Sequence, residues 1–366
     1  MKTLRFITPV DGDMISDAAG NVQNGALEIE VQIAAPPDSA VTVNGICARW
    51  TGSCYAAVVP LKAYRNVLTA VCGCGTSESA VVYRLKHAAG KFALSVDDNI
   101  WAFADLTKNK DVYTSIFENP YLRVYQKAHE KYGTTVRLNM FYSSNNPCGL
   151  EMYGPFDLSM MTDKFRDEFR ANADWLHLAF HAQAEFPDRP YACADYAQMQ
   201  HDYKAVAAEI CRFAGDEVLD TVTTNHWGSG SREAVRAEKD LGLRALMGYL
   251  ELDRDGRPYV SYELTPEQVK HANEYGFWKD HETDMIYGKI DLVLNLYDAE
   301  TARRLLDAAK AAHPKKGFVE VMIHEQYFYP AYKAYLPDYA QRIFSACRWC
   351  RENGYTPAFT SGVLFE

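Results

Sequence analysis

The chain lacks any apolar run approaching the about twenty residues that a membrane-crossing helix needs, so no spanning segment is expected. Its opening residues, Met1-Lys2-Thr3-Leu4-Arg5-Phe6-Ile7-Thr8-Pro9-Val10-Asp11, carry positive charge but no apolar core of about seven residues, so the sequence as given starts without a signal peptide. A cytoplasmic location is the expectation, with a trimmed secreted precursor as the alternative. Basic runs are also missing, and a net charge of −10 argues against nucleic acid or an anionic membrane as partner. Cysteine is present but unpaired in pattern: nine residues, an odd number, scattered as Cys47, Cys54, Cys72, Cys74, Cys148, Cys193, Cys211, Cys347 and Cys350. They read as mostly reduced thiols, with Cys347 and Cys350 packed on a helix at i, i+3. Neither internal repeats nor low-complexity tracts occur, and a composition of 48% hydrophobic and 23% charged residues excludes disorder. Nothing sets an oligomeric state.

What is there divides near residue 86. Before it come short alternating segments, Leu27 to Ile33, Ala40 to Gly45, Cys54 to Val59 and Asn66 to Val71, separated by Gly, Pro and Asn turns. These predict a small all-β sandwich over 1–86. Lys86-His87-Ala88-Ala89-Gly90-Lys91 is the expected linker. Over 91–366 strand-like and helix-like stretches alternate. The strands fall at 92–96, 134–141, 174–179, 218–224, 243–249, 291–295 and 318–324, with helices at 118–132, 195–214, 231–240, 265–275, 298–313 and 337–353. Repeated β-α units predict a parallel barrel, whose chemistry sits at the C-terminal ends of its strands.

Two such ends carry unusual residues. Phe92-Ala93-Leu94-Ser95-Val96 runs into Asp97-Asp98, and Asp174-Trp175-Leu176 runs into His177-Leu178-Ala179-Phe180-His181. Adjacent strand residues face opposite ways, so a turn at that point lets one carboxylate bind a metal while its neighbour faces substrate. His177 and His181 are about 13 Å apart on an extended strand but neighbours on a helical turn, so shared ligation requires the chain to leave the strand. Asp98, His177 and His181 then form a three-ligand site with open positions, the pattern of a catalytic rather than a structural metal. Taken singly, Asp-Asp also serves as a turn or helix cap and His-x-x-x-His also arises on solvated helices. Their joint placement at strand ends favours a metal.

These segments resemble the first two motifs of the NodB-type polysaccharide deacetylases, the carbohydrate esterase 4 family, which read Thr-Phe-Asp-Asp and His-Ser/Thr-x-x-His. Here they stand as Ser95-Val96-Asp97-Asp98 and His177-Leu178-Ala179-Phe180-His181, with Leu178 in place of the hydroxyl. Met322-Ile323-His324 matches the late Leu-x-His motif. The resemblance implies a distorted (β/α)7 barrel, Asp97 as base, Asp98, His177 and His181 as metal ligands, and His324 as acid. It also implies a divalent ion, zinc first, with cobalt, nickel or manganese as alternatives. The Arg-Pro-Pro-Tyr-like segment has no clear copy; the best-placed candidate is Thr224-Asn225-His226-Trp227-Gly228-Ser229-Gly230-Ser231-Arg232. The Asp-x-x-Asp-Trp motif is missing, with Asp253, Asp255, Glu282 or Asp284 as stand-ins. The first 86 residues resemble the immunoglobulin-like modules appended to carbohydrate-active enzymes, and are expected to pack against the barrel.

The function the resemblance implies is metal-dependent removal of an N- or O-linked acetyl group from a carbohydrate. Trp101, His226, Trp227 and Tyr327 are candidate substrate contacts, the aromatic rings offering apolar faces to pyranoses. Two rival readings remain: a glycan-binding relative without turnover, and a hydrolase of another substrate, including a glycosidase using Glu282 and Glu325. Glu251 to Gly256 imitates an EF-hand start, but Tyr262 at position 12 cannot supply the bidentate carboxylate; Asp255-Gly256 reads as a hairpin turn.

Overall fold

The computed structural model describes residues 4–144 and 154–365, so Cys148 lies outside the described residues. The helices form where capping chemistry permits. Pro120–Tyr132 opens with Asn119, whose side chain accepts from the amides of Tyr121 and Leu122, has Pro120 in its first turn, and ends at Gly133 with φ +72°. Pro266–Tyr275 has a full capping box between Thr265 and Gln268 and ends at Gly276, φ +93°.

The parallel strands form two arcs. In the first the order is Leu176–Ala182, Val136–Phe141, Lys91–Asn99, Phe318–His324 and Leu292–Val293; in the second it is Val222–Thr223, Ala245–Gly248 and Ile286–Lys289. The arcs meet through one isolated parallel bridge, Leu178 to Leu219. On the other side they meet where the chain itself passes from Ile286–Lys289, paired with 245–248, into Leu292–Val293, paired with Phe318–His324. The hydrogen-bonded ladder therefore does not close, and the expected barrel is two arcs rather than a continuous ring. Register brings the catalytic candidates level: Asp97 stands opposite His324. The Asp255-Gly256 hairpin is present, pairing Glu251 with Tyr259. Cys347 and Cys350 are buried on the helix Tyr339–Glu352.

The N-terminal region is a two-sheet β structure with its own buried layer, including Leu27, Ile29, Val31, Val59, Leu61 and Leu68. One of its sheets does not stop at residue 86. The strand Asp13–Ser16 lies between Ser77–Leu85, parallel, and Phe277–Lys279, antiparallel, so a nine-stranded sheet runs from the sandwich into the second arc. The contact is tight: Gly12, at φ +89°, leaves no room for a Cβ against the Trp278 ring, and Trp278 Nε1 donates to Asp11 O at 3.0 Å. Fully buried Asp13 accepts from Val10 N and meets His271 Nδ1 at 3.1 Å.

Candidate metal centre and active site

The strand Lys91–Asn99 slips register between Val96 and Asn99, and Asp98 takes φ +65° inside that bulge. Aspartate tolerates this left-handed conformation better than most residues, and the bulge lets neighbouring carboxylates serve different partners. Asn99 secures it, its amide donating to Val96 O at 2.6 Å and Asn139 O at 3.0 Å while Tyr121 OH donates to its Oδ1 at 2.5 Å.

Asp98 faces two imidazoles. Its Oδ1 is 3.0 Å from His181 Nε2 and 3.3 Å from His226 Nδ1, and the two nitrogens are 3.1 Å apart. All three residues are buried. The outer ring nitrogens are committed elsewhere: His181 Nδ1 meets Thr224 O at 2.5 Å and His226 Nε2 meets Glu185 O at 3.0 Å. A carbonyl only accepts, so each outer nitrogen carries the hydrogen and each inner one keeps its lone pair. Three lone-pair atoms thus converge at mutual distances of 3.0–3.3 Å. Ligands bound to one ion at about 2.0–2.2 Å lie about 2.9–3.5 Å from one another, so the donor set fits a divalent cation. Backbone carbonyls orienting the imidazoles complete the usual outer support of such a centre. Gln326 Nε2 donates to the remaining Asp98 oxygen at 2.6 Å.

Charge follows this geometry. Without an ion the inner nitrogens can carry protons instead: burial alone would raise Asp98, but His181 and His226 in that protonated form donate to it and, with nearby His324, hold it well below the ordinary carboxylate range. Burial disfavours a charged His181, yet Asp97 and Asp98 outweigh it and raise its affinity for protons. Glu185 is pushed up to about 8, first by burial and then by the field of Asp98.

His177 is elsewhere. The strand Leu176–Ala182 continues through both histidines, so the chain never makes the helical turn that shared ligation required. His177 instead meets Asp220 Oδ2 at 3.0 Å and lies flat on Phe359, with ring centroids 3.6 Å apart. The third ligand position falls to His226, which the sequence suggested only as a substrate contact. Its loop places it there through two left-handed residues, Trp227 and Gly228, the latter closed in by Val260.

Asp97 is buried and accepts from Asn139 Nδ2 at 2.6 Å. Asn139 is oriented in turn by Arg137, whose Nε donates to its Oδ1 at 3.2 Å and whose Nη2 donates to Glu320 Oε1 at 2.6 Å. Thr360 donates to the other Glu320 oxygen at 2.6 Å. An amide thus touches the expected base and an arginine stands one residue behind it. His324 is half-buried at the end of its strand, Nδ1 bonded to Asn295 Oδ1 at 2.8 Å and ring 6.0 Å from that of Tyr327.

Among the expected substrate contacts, Trp227 is 40% exposed, 6.1 Å from the His226 ring, and Tyr327 is half-buried beside Tyr332. Trp101 is not available: it is 1% exposed in the core at the start of Trp101–Lys108. The glycosidase pair does not form either. Glu282 is on the surface with Arg232 and Arg236, whereas fully buried Glu325 caps Trp101–Lys108 by accepting from the amides of Ile100, Trp101 and Ala102.

Asn139, Glu185 and Gln326 carried no motif in the sequence; only the expected strand 134–141 and the strand-end residues His181 and His324 marked the region. No family model and no curated protein matches the sequence. Among solved structures, a mutant of a CE4 family pseudoenzyme is similar at 8% identity, covering 79% of this chain and 77% of its own, with a TM-score of 0.41. The wild-type CE4 pseudoenzyme from Bacillus anthracis is similar at 9% identity over 76% of this chain and 66% of its own, TM-score 0.35. A protein from Bordetella bronchiseptica, named for a polysaccharide deacetylase role in O-antigen biosynthesis, is 10% identical over 72% of this chain and 91% of its own, TM-score 0.35. At such identities and scores, roles rest on this chain's own side chains.

Proposed function

We propose that the chain is a metal-dependent hydrolase that removes an N- or O-linked acetyl group from a carbohydrate. The observation that carries the reading is the convergence of Asp98, His181 and His226 beside a second carboxylate, Asp97, that is not tied into the ligand set. When bound, a divalent ion polarises an acyl carbonyl and makes water a stronger acid. Asp97 receives the proton of the attacking water, and Asn139 fixes which carboxylate oxygen is already occupied. The Asn295 carbonyl oxygen holds a hydrogen on His324 Nδ1, which leaves Nε2 to carry and deliver the proton that the departing nitrogen or oxygen needs. Trp227 and Tyr327 offer ring faces to the sugar. Zinc is the ion the two-imidazole, one-carboxylate set suits first. The N-terminal sandwich, taken as immunoglobulin-like, supports the strand arcs through the sheet they share.

The test is metal content and acetate release from a panel of acetylated sugars, measured on the wild type, Asp97→Asn and a His181→Ala, His226→Ala double variant. Expected are about one ion per chain and acetate release in the wild type, ion without release in Asp97→Asn, and neither in the double variant. A second reading, glycan binding without turnover, draws on Asn139, an amide where the family places an arginine against the base. Metal and sugar binding without acetate release would select it, and an absence of metal would overturn both.

A further inference from the structure

The hairpin that imitates a calcium loop closes on the segment that carries His226. Its strands pair Glu251 with Tyr259, and the residues that flank them are left-handed without being glycine: Leu250 at φ +43°, Val260 at φ +47° and Tyr262 at φ +54°. Such backbone is costly, most of all for a β-branched valine, and persists where surrounding contacts over-determine it. Those contacts are present. Leu250 N donates to Val260 O at 3.1 Å, and Val260 covers Gly228 so closely that a Cβ there would meet its Cγ1 at 2.7 Å.

Tyr262 then grips both ends of the ligand-bearing loop. Its hydroxyl accepts from Asn225 N at 3.3 Å and donates to Met247 O at 2.8 Å, while its own backbone N donates to Gly228 O at 2.8 Å. His226 and Trp227 lie between those two anchors. Met247 belongs to the strand Ala245–Gly248, so the hydroxyl ties the loop to the second arc. The bond from His226 Nε2 to Glu185 O fixes the rotation of the imidazole, but it leaves the course of its backbone to Tyr262.

Resting on the metal centre of the function proposed above, we propose that Tyr262 is the positioning residue for the third ligand: by clasping Asn225 and Gly228 it holds His226 Nδ1 at 3.1 Å from His181 Nε2, ready for an ion. A ligand already held in place loses less freedom when an ion binds, so the clasp strengthens metal binding without touching the metal. The same grip sets the exposed Trp227 ring beside the centre.

The test is zinc affinity, read by competition with a chromophoric chelator, on the wild type, Tyr262→Phe and Tyr287→Phe, at a temperature where melting curves show all three metal-free proteins folded. Tyr262→Phe keeps the ring and the backbone bond to Gly228 and removes the hydroxyl alone. Tyr287→Phe takes a hydroxyl from the ring packed on Tyr262, 5.4 Å between centroids, and serves as the control. A hydroxyl that matters to stability alone moves the melting temperature and leaves the zinc affinity of the folded protein where it was. The expected result is zinc binding weakened by about 10-fold or more in Tyr262→Phe, the range for outer partners of metal ligands, and unchanged in Tyr287→Phe. Should Tyr262→Phe not fold, Val260→Ala, which opens the cover over Gly228, carries the same expectation and the same limit. An affinity of Tyr262→Phe within about 2-fold of a metal-binding wild type, or an equal loss in Tyr287→Phe, would overturn this inference and leave the proposed function standing; a wild type that binds no zinc would overturn both.

Discussion

Substituting Arg137 by methionine tests whether the polar interior of the strand arcs is held by one ion pair. Arg137 and Glu320 have side-chain exposures of 2% and 0% and meet at 2.6 Å. Removing the guanidinium leaves a buried carboxylate served only by Thr360, and stripping one partner from a buried pair costs about 3–5 kcal/mol. The retained Thr360 hydroxyl argues for the lower end, about 3 kcal/mol, because one oxygen of Glu320 keeps its donor. At about 2–4 °C per kcal/mol for domains of 150–250 residues, the melting temperature should fall by about 6–12 °C. Adding Glu320→Met removes the stranded charge. The double variant should therefore be more stable than the sum of the single changes by about 2 kcal/mol. Urea unfolding followed by tryptophan fluorescence, on all four members of the cycle, supplies the numbers. A loss under about 1 kcal/mol in Arg137→Met, or strict additivity in the double variant, would refute the reasoning. Because Arg137 also orients Asn139 against Asp97, acetate release by the folded single variant should fall as well.

Three further outcomes follow from other parts of the molecule. His226→Ala should lose metal while His177→Ala keeps it, seen by elemental analysis after gel filtration; the reverse would restore the ligand set expected from spacing. Glu238, fully buried on Arg232–Asp240, is pushed up from 4.5 to about 8 by burial, with Asn225 opposing. A raised carboxyl means the folded chain holds the extra proton, so stability declines as pH rises from about 4.5 to about 8, and Glu238→Gln, which cannot ionise, should flatten that slope in urea titrations at several pH values. A fragment of residues 91–366 should fail to melt cooperatively, because it lacks the Asp13–Ser16 strand that pairs with Phe277–Lys279; a sharp calorimetric transition would contradict the shared sheet.

The residues legible in the sequence were those at the ends of apolar runs. Asp97, Asp98, His181 and His324 are where strand periodicity put them, and alternation marked the N-terminal sheets. His177 was misplaced for a physical reason. Spacing of four brings side chains together only on a helix, and Leu176–Ala182 stays extended, so the two imidazoles share a face but not a site. His226 sits in a loop whose course depends on left-handed Trp227 and on Val260 packing over Gly228, neither visible as periodicity. Glu185 reaches the centre through one backbone bond from a bend, Gln326 from the short 3-10 turn Glu325–Phe328, and Asn139 from the strand beside Asp97. The shared sheet was hidden because Met14 pairs with Phe277, a contact between distant parts of the chain that no local pattern encodes.

That sheet and the separate one that carries Asp97 and Asp98 both set when the site can come into being. During synthesis the N-terminal segments emerge first, and folding is slowed wherever pairing must await distant partners. Asp13–Ser16 waits for Phe277–Lys279, and the strand bearing Asp97 and Asp98 waits for Phe318–His324 on its flank and for Thr356–Pro357 at its foot. The aspartates are thus among the earlier residues made and the last to be framed. A nascent chain stalled before residue 318 would expose both carboxylates without the strand that frames them, so the proposed centre can take an ion only once the polypeptide is finished.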